Sequence, residues 1–380
     1  MDFEFTEEQK MFQAMMRDFV NQEIAPVAAQ WEEEGQFPYD VWKEMATLGI
    51  CGVALPREYG GNGGGKTLFC IATEEIARGS AGLATAYLVS SGVAMENIVR
   101  YGTEQQKSTY IPRCCNGEVA YFALTEAVGG SDVAPIQTRY VKEGNHYLLN
   151  GTKLFISNGE ESSFGVVYAT KNTSLGYRGI SCFIVEKSSP GFSIGKKERK
   201  TGQHCSSTTE LVFHNCRIPV ANRVGDERKG LRMALEAIDA SRISIGAQAL
   251  GIAEAAYAAA AAYAKERKAF GKSLAQMQAI QWMISDMATD IDASRLLIYR
   301  AAWLQEQERP FIKEAAMAKL FATEASSRVC HKAVQIFGGY GYTRDFPVER
   351  YARDQRITEI YEGTSEMQRW AIARHTLGTK

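Results

Sequence analysis

Tyr140-Val141-Lys142-Glu143-Gly144-Asn145-His146-Tyr147-Leu148-Leu149, followed by Asn150-Gly151, is the stretch that decides the fold. Aromatic and β-branched residues flank a Gly-Asn pair, which reads as a hairpin, and Asn150-Gly151 adds a further turn signal. Runs at 164–170, 179–187 and 209–214 are equally β-rich and are bounded by Gly, Ser, Pro or Asn. The period differs on both sides of this region. Upstream, Thr6 and Gln9 form a capping box ahead of Met11, Phe12, Met15, Phe19 and Val20, an apolar stripe at helical spacing that ends by Pro26. Helical patterns broken by Pro38, Pro56 and the glycines of 60–65 continue to about residue 115. After Gly230 the helical period returns and holds through Ile280, Met283, Ile284, Met287 and Ile291, with an alanine-rich stretch from Ala253 to Ala264 and one break at Pro310. Long helices joined by short breaks predict a bundle. The order is helices, strands, helices, without an internal repeat.

Composition narrows the function. The 380 residues hold 43 Lys plus Arg against 44 Asp plus Glu, so no basic excess points to nucleic acid or an anionic membrane. Small-molecule chemistry is the expectation. No apolar run approaches the roughly 20 residues that span a bilayer, and the start Met1-Asp2-Phe3-Glu4 is acidic, unlike a signal or transit segment. The chain is expected to be free of membrane insertion and unprocessed. Eight scattered cysteines lack the spacing of a secreted disulfide scaffold and indicate a reducing compartment. A prokaryotic cytoplasm is the simplest one, with the mitochondrial matrix requiring a removed transit peptide.

Several motifs compete. Gly60-Gly61-Asn62-Gly63-Gly64-Gly65-Lys66-Thr67 satisfies the phosphate-binding loop pattern and precedes a helical stretch, Leu68 to Ala77. A working loop also needs a parallel sheet and an acidic strand end for magnesium, and neither is apparent, so nucleotide hydrolysis is disfavoured and Lys66 is expected to touch no phosphate. His204-Cys205 and His214-x-Cys216 offer zinc-type ligands, but their spacing fits no compact pair and the second reads as a surface turn. A di-iron site needs Glu-x-x-His on bundle helices, whereas Glu143 to His146 lies in a turn. No metal is expected. No nucleophile elbow is present.

The segment Arg356-Ile357-Thr358-Glu359-Ile360-Tyr361-Glu362-Gly363-Thr364-Ser365-Glu366 sets one carboxylate between a bulky aromatic and a glycine, a placement suited to a base entering a closed pocket. Upstream lie Phe122-Ala123-Leu124-Thr125-Glu126 with Gly130-Ser131-Asp132, then Glu266 to Lys272, then Gln335-Ile336-Phe337-Gly338-Gly339-Tyr340-Gly341-Tyr342. In this order and at these separations the motifs resemble the acyl-CoA dehydrogenase family of flavoenzymes, especially its short-chain members, from Phe5 to Leu377. The resemblance implies an α+β multidomain chain: an N-terminal α-helical domain over 1–120, a middle antiparallel β domain over 121–228, and a C-terminal four-helix bundle over 229–380. It implies FAD as cofactor, an acyl-CoA substrate, an electron-transferring flavoprotein as partner, and a homotetramer built as a dimer of dimers.

Residue by residue, the resemblance places Phe122, Leu124, Thr125, Gly130 and Ser131 against the flavin, Ser131 also meeting the substrate. Phe155 and Ser157 stand where the family usually has Trp and Thr, one stacking on the ring and the other offering a hydroxyl near its reactive nitrogen. Ala127 stands where proline is common. These departures bear on redox tuning and loop rigidity. Arg267 and Phe270, with Gln335, Gly338 and Gly339, would reach a neighbouring subunit's cofactor, and Thr364 and Glu366 would complete that cradle. Asp239, Arg242, Tyr361 and Gly363 would line the substrate. Glu362 would remove the α-proton while the β-hydrogen leaves as hydride to the flavin, with the Glu362 amide among the donors to the thioester oxygen. A carboxylate at its ordinary pKa of roughly 4.3 is a weak base for a carbon acid, and excluding water raises it. The family's alternative base position is occupied by Ser241. Glutaryl-CoA members carry an arginine where this chain has Leu83, which implies that a dicarboxylyl chain is disfavoured and leaves small linear, branched or alicyclic acyl groups. Enoyl-CoA reduction is the alternative direction.

Overall fold

The computed structural model describes residues 4–379; Met1, Asp2 and Phe3 of the acidic start, and Lys380, lie outside the described residues. Helix α1 (Glu7–Phe19) begins at the capping box read from sequence: the Gln9 amide donates to Thr6 Oγ1 at 3.2 Å and the Thr6 amide to Gln9 Oε1 at 3.0 Å. Six more helices follow: α2 (Ala28–Glu34), α3 (Tyr39–Thr47), α4 (Gly65–Gly79), α5 (Ala81–Tyr87), α6 (Ala94–Tyr101) and α7 (Glu104–Cys115). Between α5 and α6 the chain widens into a π-helical segment, Leu88–Val93, a distortion frequent beside functional sites. Adjacent glutamates on α4 are both buried and serve opposite directions. Glu75 accepts from Arg17 and Arg78, while Glu74 accepts from Arg295 and Tyr299, so the charges knit α4 to its neighbours.

The strands are β1 (Ala120–Ala123), β2 (Arg139–Glu143), β3 (His146–Ser157), β4 (Phe164–Thr170), β5 (Ile180–Glu186), β6 (Phe192–Lys197), β7 (Thr208–Pro219) and β8 (Arg223–Val224). They form one sheet in the order β6-β7-β3-β2-β4-β5-β8, with β1 added against β4. The hairpin turns at Gly144-Asn145, pairing Glu143 with His146. Asn150-Gly151 is no turn. It lies inside β3 at a bulge against β7, where a Cβ on Gly151 would sit 2.6 Å from Thr138 Cα, so the glycine answers a close backbone approach. The Asn150 and Asn215 side chains bridge that bulge, the Asn215 amide donating to Asn150 Oδ1 at 2.8 Å. His214 and Cys216 therefore stand within a strand, with Cys216 buried, rather than in a surface turn. The sheet is also not purely antiparallel. β1 runs parallel to β4 from Ala120–Phe164 to Ala123–Val167, because it enters directly from the helical region instead of through a hairpin.

The last third holds α8 (Gly230–Glu266), a short ribbon β9 (Lys268–Ala269) and β10 (Lys272–Ser273), then α9 (Gln278–Glu306), α10 (Ile312–Phe337), α11 (Val348–Gln355) and α12 (Ser365–Leu377). α8 is long and apolar enough by composition to cross a membrane, with mean hydropathy 1.2 over an 18-residue window, more than the residue pattern alone suggested. It is instead the central core helix, with 78% of that window buried against α4, α9 and α10. Its small residues permit this: Gly251 admits the Glu74 carbonyl so closely that a Cβ would lie 2.1 Å from it.

Candidate active site

Glu362 sits in the turn between a 3-10 segment, Arg356–Glu359, and α12, and its backbone is left-handed, with φ 52°. Such a conformation is costly for a residue with a Cβ and persists only where the surroundings hold it. The following Gly363 has φ 90°, and a Cβ there would meet Gln368 Nε2 at 2.8 Å. Its carbonyl accepts from Lys319 Nζ at 2.6 Å and from Gln368 Nε2 at 2.7 Å. Thr364 caps α12 by accepting from the Met367 amide at 3.4 Å. The loop is thus clamped on the residues just after the carboxylate.

The carboxylate faces α8. Ser241 Oγ lies 2.9 Å from both Glu362 Oε2 and the Ile238 carbonyl, and its single proton serves one of them at a time. Burial pushes the Glu362 carboxyl above its ordinary pKa, opposed by the Ser241 hydrogen bond and by the charges of Lys319, Arg242 and Lys66. The Glu362 N–H has no hydrogen-bond partner among the described residues. Arg242, almost fully buried, pairs with Asp239 at 2.6 Å. The Tyr361 hydroxyl donates to Gln248 Oε1; Gln248 Nε2 donates to Thr85 Oγ1 at 2.7 Å, and Thr85 Oγ1 to Gln203 Oε1 at 2.5 Å. Gln203 in turn holds Asp354, its amide 2.6 Å from Oδ1. One buried chain of hydrogen bonds therefore joins α5, α8, the loop before β7 and the base-bearing turn.

Phe122, Leu124 and Thr125 lie at the end of β1 and just beyond it, against β3: the Leu154 amide donates to the Thr125 carbonyl at 2.9 Å. Gly130 and Ser131 lie in the exposed loop that follows, and a Cβ on Gly130 would meet nothing within 4 Å. Glu126 fastens that loop. Its carboxylate accepts from the Gln137 and Thr138 amides and from the buried Lys153 ammonium at 2.7 Å, and Lys153 also donates to the Leu124 carbonyl. Burial lowers the Lys153 ammonium to about 8, with Glu126 holding it up. At the end of β3, Phe155 takes φ 56° and leaves 62% of its surface open, with Ser157 two residues on.

A third group lies apart. Arg267 places its guanidinium 5.6 Å from the ring of Tyr340, which follows Gln335, Gly338 and Gly339 in the chain, and Phe270 is 96% exposed at φ 49°. Cβ atoms on Gly338 or Gly339 would meet nothing within 4 Å. No hydrogen bond or ion pair among the described residues links this group to Glu362. Glu366 is likewise exposed, on the first turn of α12.

The phosphate-loop look-alike resolves on contacts. The Thr67 amide and hydroxyl donate to the Glu306 carboxylate at 2.7 and 2.9 Å, so the anion at the start of α4 comes from the protein itself. No cluster of potential metal ligands occurs among the described residues. His204 is engaged with Lys200 and Glu32 through its ring, and Cys205 is buried.

Sequence reading missed Ser241 as the base's partner, Lys319, Lys153 and the Gln248–Thr85–Gln203 chain. Lys319 had a visible signal: it falls on the same small-residue stripe as Ala315, Ala318, Ala322 and Ala325, where a lysine must be buried. The Gln248 chain had none, because its members come from separate segments.

Fold and site together combine a clamped carboxylate with exposed aromatic faces and glycines that have open space beside them. Family models match throughout: acyl-CoA dehydrogenase, N-terminal domain, over residues 6–118; middle domain, 121–216; C-terminal domain, 228–377. The chain belongs to the acyl-CoA dehydrogenase family and is an FAD-dependent oxidoreductase acting on CH–CH bonds. It is 46% identical to acryloyl-CoA reductase (NADH) of Anaerotignum propionicum, over 99% of this chain and 96% of that one. It is 45% identical to the short-chain specific acyl-CoA dehydrogenase of Clostridium acetobutylicum, over 98% and 99%. Butyryl-CoA dehydrogenase from Megasphaera elsdenii superposes with a TM-score of 0.97 at 40% identity, covering 99% and 100%.

Proposed function

We propose that this enzyme catalyses α,β-dehydrogenation of a short-chain acyl-CoA, with Glu362 as the base. The observation that carries the reading is the Glu362 carboxylate itself, held on a left-handed turn, raised in basicity by burial, and bonded to Ser241 on the wall of a cavity. A base poised above the ordinary carboxylate range matches the demand of a thioester α-proton better than an exposed one. Bound FAD supplies the hydride acceptor. The chain's own residues do the rest. Lys319 and Gln368 hold the Gly363 carbonyl so that the unpartnered Glu362 N–H stays free to meet the thioester oxygen, and Ser241 can turn its proton to Ile238 once the carboxylate is protonated. Asp239 orients Arg242 beside the base turn, and Tyr361 closes the pocket through Gln248.

Phe122, Leu124, Thr125, Gly130, Ser131, Phe155 and Ser157 would hold the flavin, Ser131 also contacting the substrate. Arg267, Phe270, Gln335, Gly338 and Gly339, with Thr364 and Glu366, would hold the adenosine half across a subunit boundary. The exposure of Arg267, Phe270, Gln335, Gly338 and Gly339 supports a homo-oligomer, a dimer of dimers on the family pattern. With no second redox motif in the chain, electrons would pass to an electron-transferring flavoprotein. Small linear, branched and alicyclic acyl groups are all compatible with the family resemblance. Likeness to a relative named as a reductase favours, as a second reading, the same chemistry run toward the saturated thioester.

Purified protein should be yellow with about one FAD per chain, and butyryl-CoA should bleach it anaerobically. Protein that binds FAD but is bleached by no short acyl-CoA would defeat the reading.

A further inference from the structure

Lys66 is the residue of the phosphate-loop look-alike that remains unexplained once Glu306 has taken the start of α4. Its side chain lines a cavity of about 140 Å³ whose other walls are largely apolar, among them Leu88, Val93, Met95, Ala237 and Ala240. Ser241, the partner of Glu362, bounds the same cavity, and the Lys66 charge reaches the Glu362 carboxyl. Lys66 Nζ lies 5.2 Å from the centre of the Phe69 ring, and among the described residues no hydrogen bond or ion pair reaches it. The one carboxylate on the cavity wall, Glu96, is bonded to Arg100 Nε at 2.6 Å. Gln305 Oε1, on the same lining, is buried without a partner. A half-buried ammonium against apolar walls, with no hydrogen-bonded or ion-paired partner of its own, is under-compensated, and a matching anion seated beside it offsets that cost. Leu83, by contrast, is fully buried in α5 and does not line the cavity.

We propose that Lys66 receives the terminal carboxylate of a short ω-carboxyacyl-CoA, making a dicarboxylyl thioester the preferred substrate class. This rests on the reading that the acyl chain enters this cavity from the Glu362 side. It reverses the expectation drawn from Leu83: the cation enters from α4 rather than from α5. A carboxylate seated there turns an unpaired charge into a charge-assisted pair, and an apolar chain of the same length leaves it unpaired.

The test uses the FAD-loaded enzyme and anaerobic flavin bleaching with glutaryl-CoA and butyryl-CoA, in the unaltered protein, Lys66→Met and Lys66→Arg. The unaltered enzyme should favour glutaryl-CoA. The ratio of the two second-order bleaching rates should fall by about 100-fold in Lys66→Met and largely recover in Lys66→Arg, since arginine keeps the charge. FAD absorbance per chain checks that each variant is folded and loaded. Bleaching by butyryl-CoA with rejection of glutaryl-CoA in the unaltered enzyme, or a ratio that Lys66→Met leaves unchanged, overturns the assignment while the proposed reaction stands. Bleaching by neither thioester overturns both.

Discussion

Around Glu362 the polypeptide is tied down from within, whereas around Arg267 the same kinds of group face solvent. The Gly363 carbonyl has two donors from α10 and α12, the carboxylate has Ser241, and Tyr361 is anchored through Gln248. Arg267 has only a ring face at 5.6 Å, and Phe270 and Gly338 contact little of their own chain. The difference teaches where precision is required. A proton-transferring group misplaced by 1 Å loses its advantage, so its support is built into one chain. A cofactor tail needs charge and room, and a second subunit can complete those.

The sharpest way to break this comparison is Glu362→Gln, which keeps the size and removes the basicity. Flavin reduction by acyl-CoA should fall by roughly three decades or more with FAD content unchanged, read by anaerobic stopped flow. Rapid bleaching in that variant would place the base elsewhere. Next in size, Arg267→Ala should weaken FAD retention by about 10- to 100-fold, the worth of a hydrogen bond to a charged group, and loosen the oligomer in the same titration. An FAD-saturated monomer would contradict the shared site.

Lys319→Met sharpens the inner half of the comparison through pH. The cation favours the ionised form of Glu362, so its removal raises the carboxyl further and moves the acid limb of the reduction rate to higher pH. Below neutrality the rate should drop roughly threefold to tenfold, recovering as pH rises. The Lys319 ammonium, lowered by burial to about 7, loses its charge as pH climbs through that value, so the difference between variant and parent should narrow above it. A loss that is equal at every pH would reduce Lys319 to a packing role. Smallest is Gly363→Ala, strained at φ 90° and crowded by Gln368, with about 1 kcal/mol or more of destabilisation expected in a denaturant titration. An unchanged midpoint would mean that the turn relaxes freely.

The capping box of α1, the hairpin across Gly144-Asn145 and the helical period of α8 to α10 were legible because each is a local pattern, set by hydrogen bonds and burial within a few residues of one another. Asn150-Gly151 misled for the same reason in reverse: its turn propensity is local, but β7 and Thr138 fix the strand there by contacts far along the chain. The parallel seating of β1 was equally invisible, since strand direction depends on where the helical region delivers the chain. At the site, it was the family resemblance carried by the ordered motifs of the sequence that singled out Glu362, Gly363 and the glycines near the proposed cofactor. Only the tertiary structure brought Ser241, Lys319 and Gln248 to the carboxylate and turned Lys66 into the cavity, because desolvation and pairing of charge depend on which distant segments exclude water from a point in space.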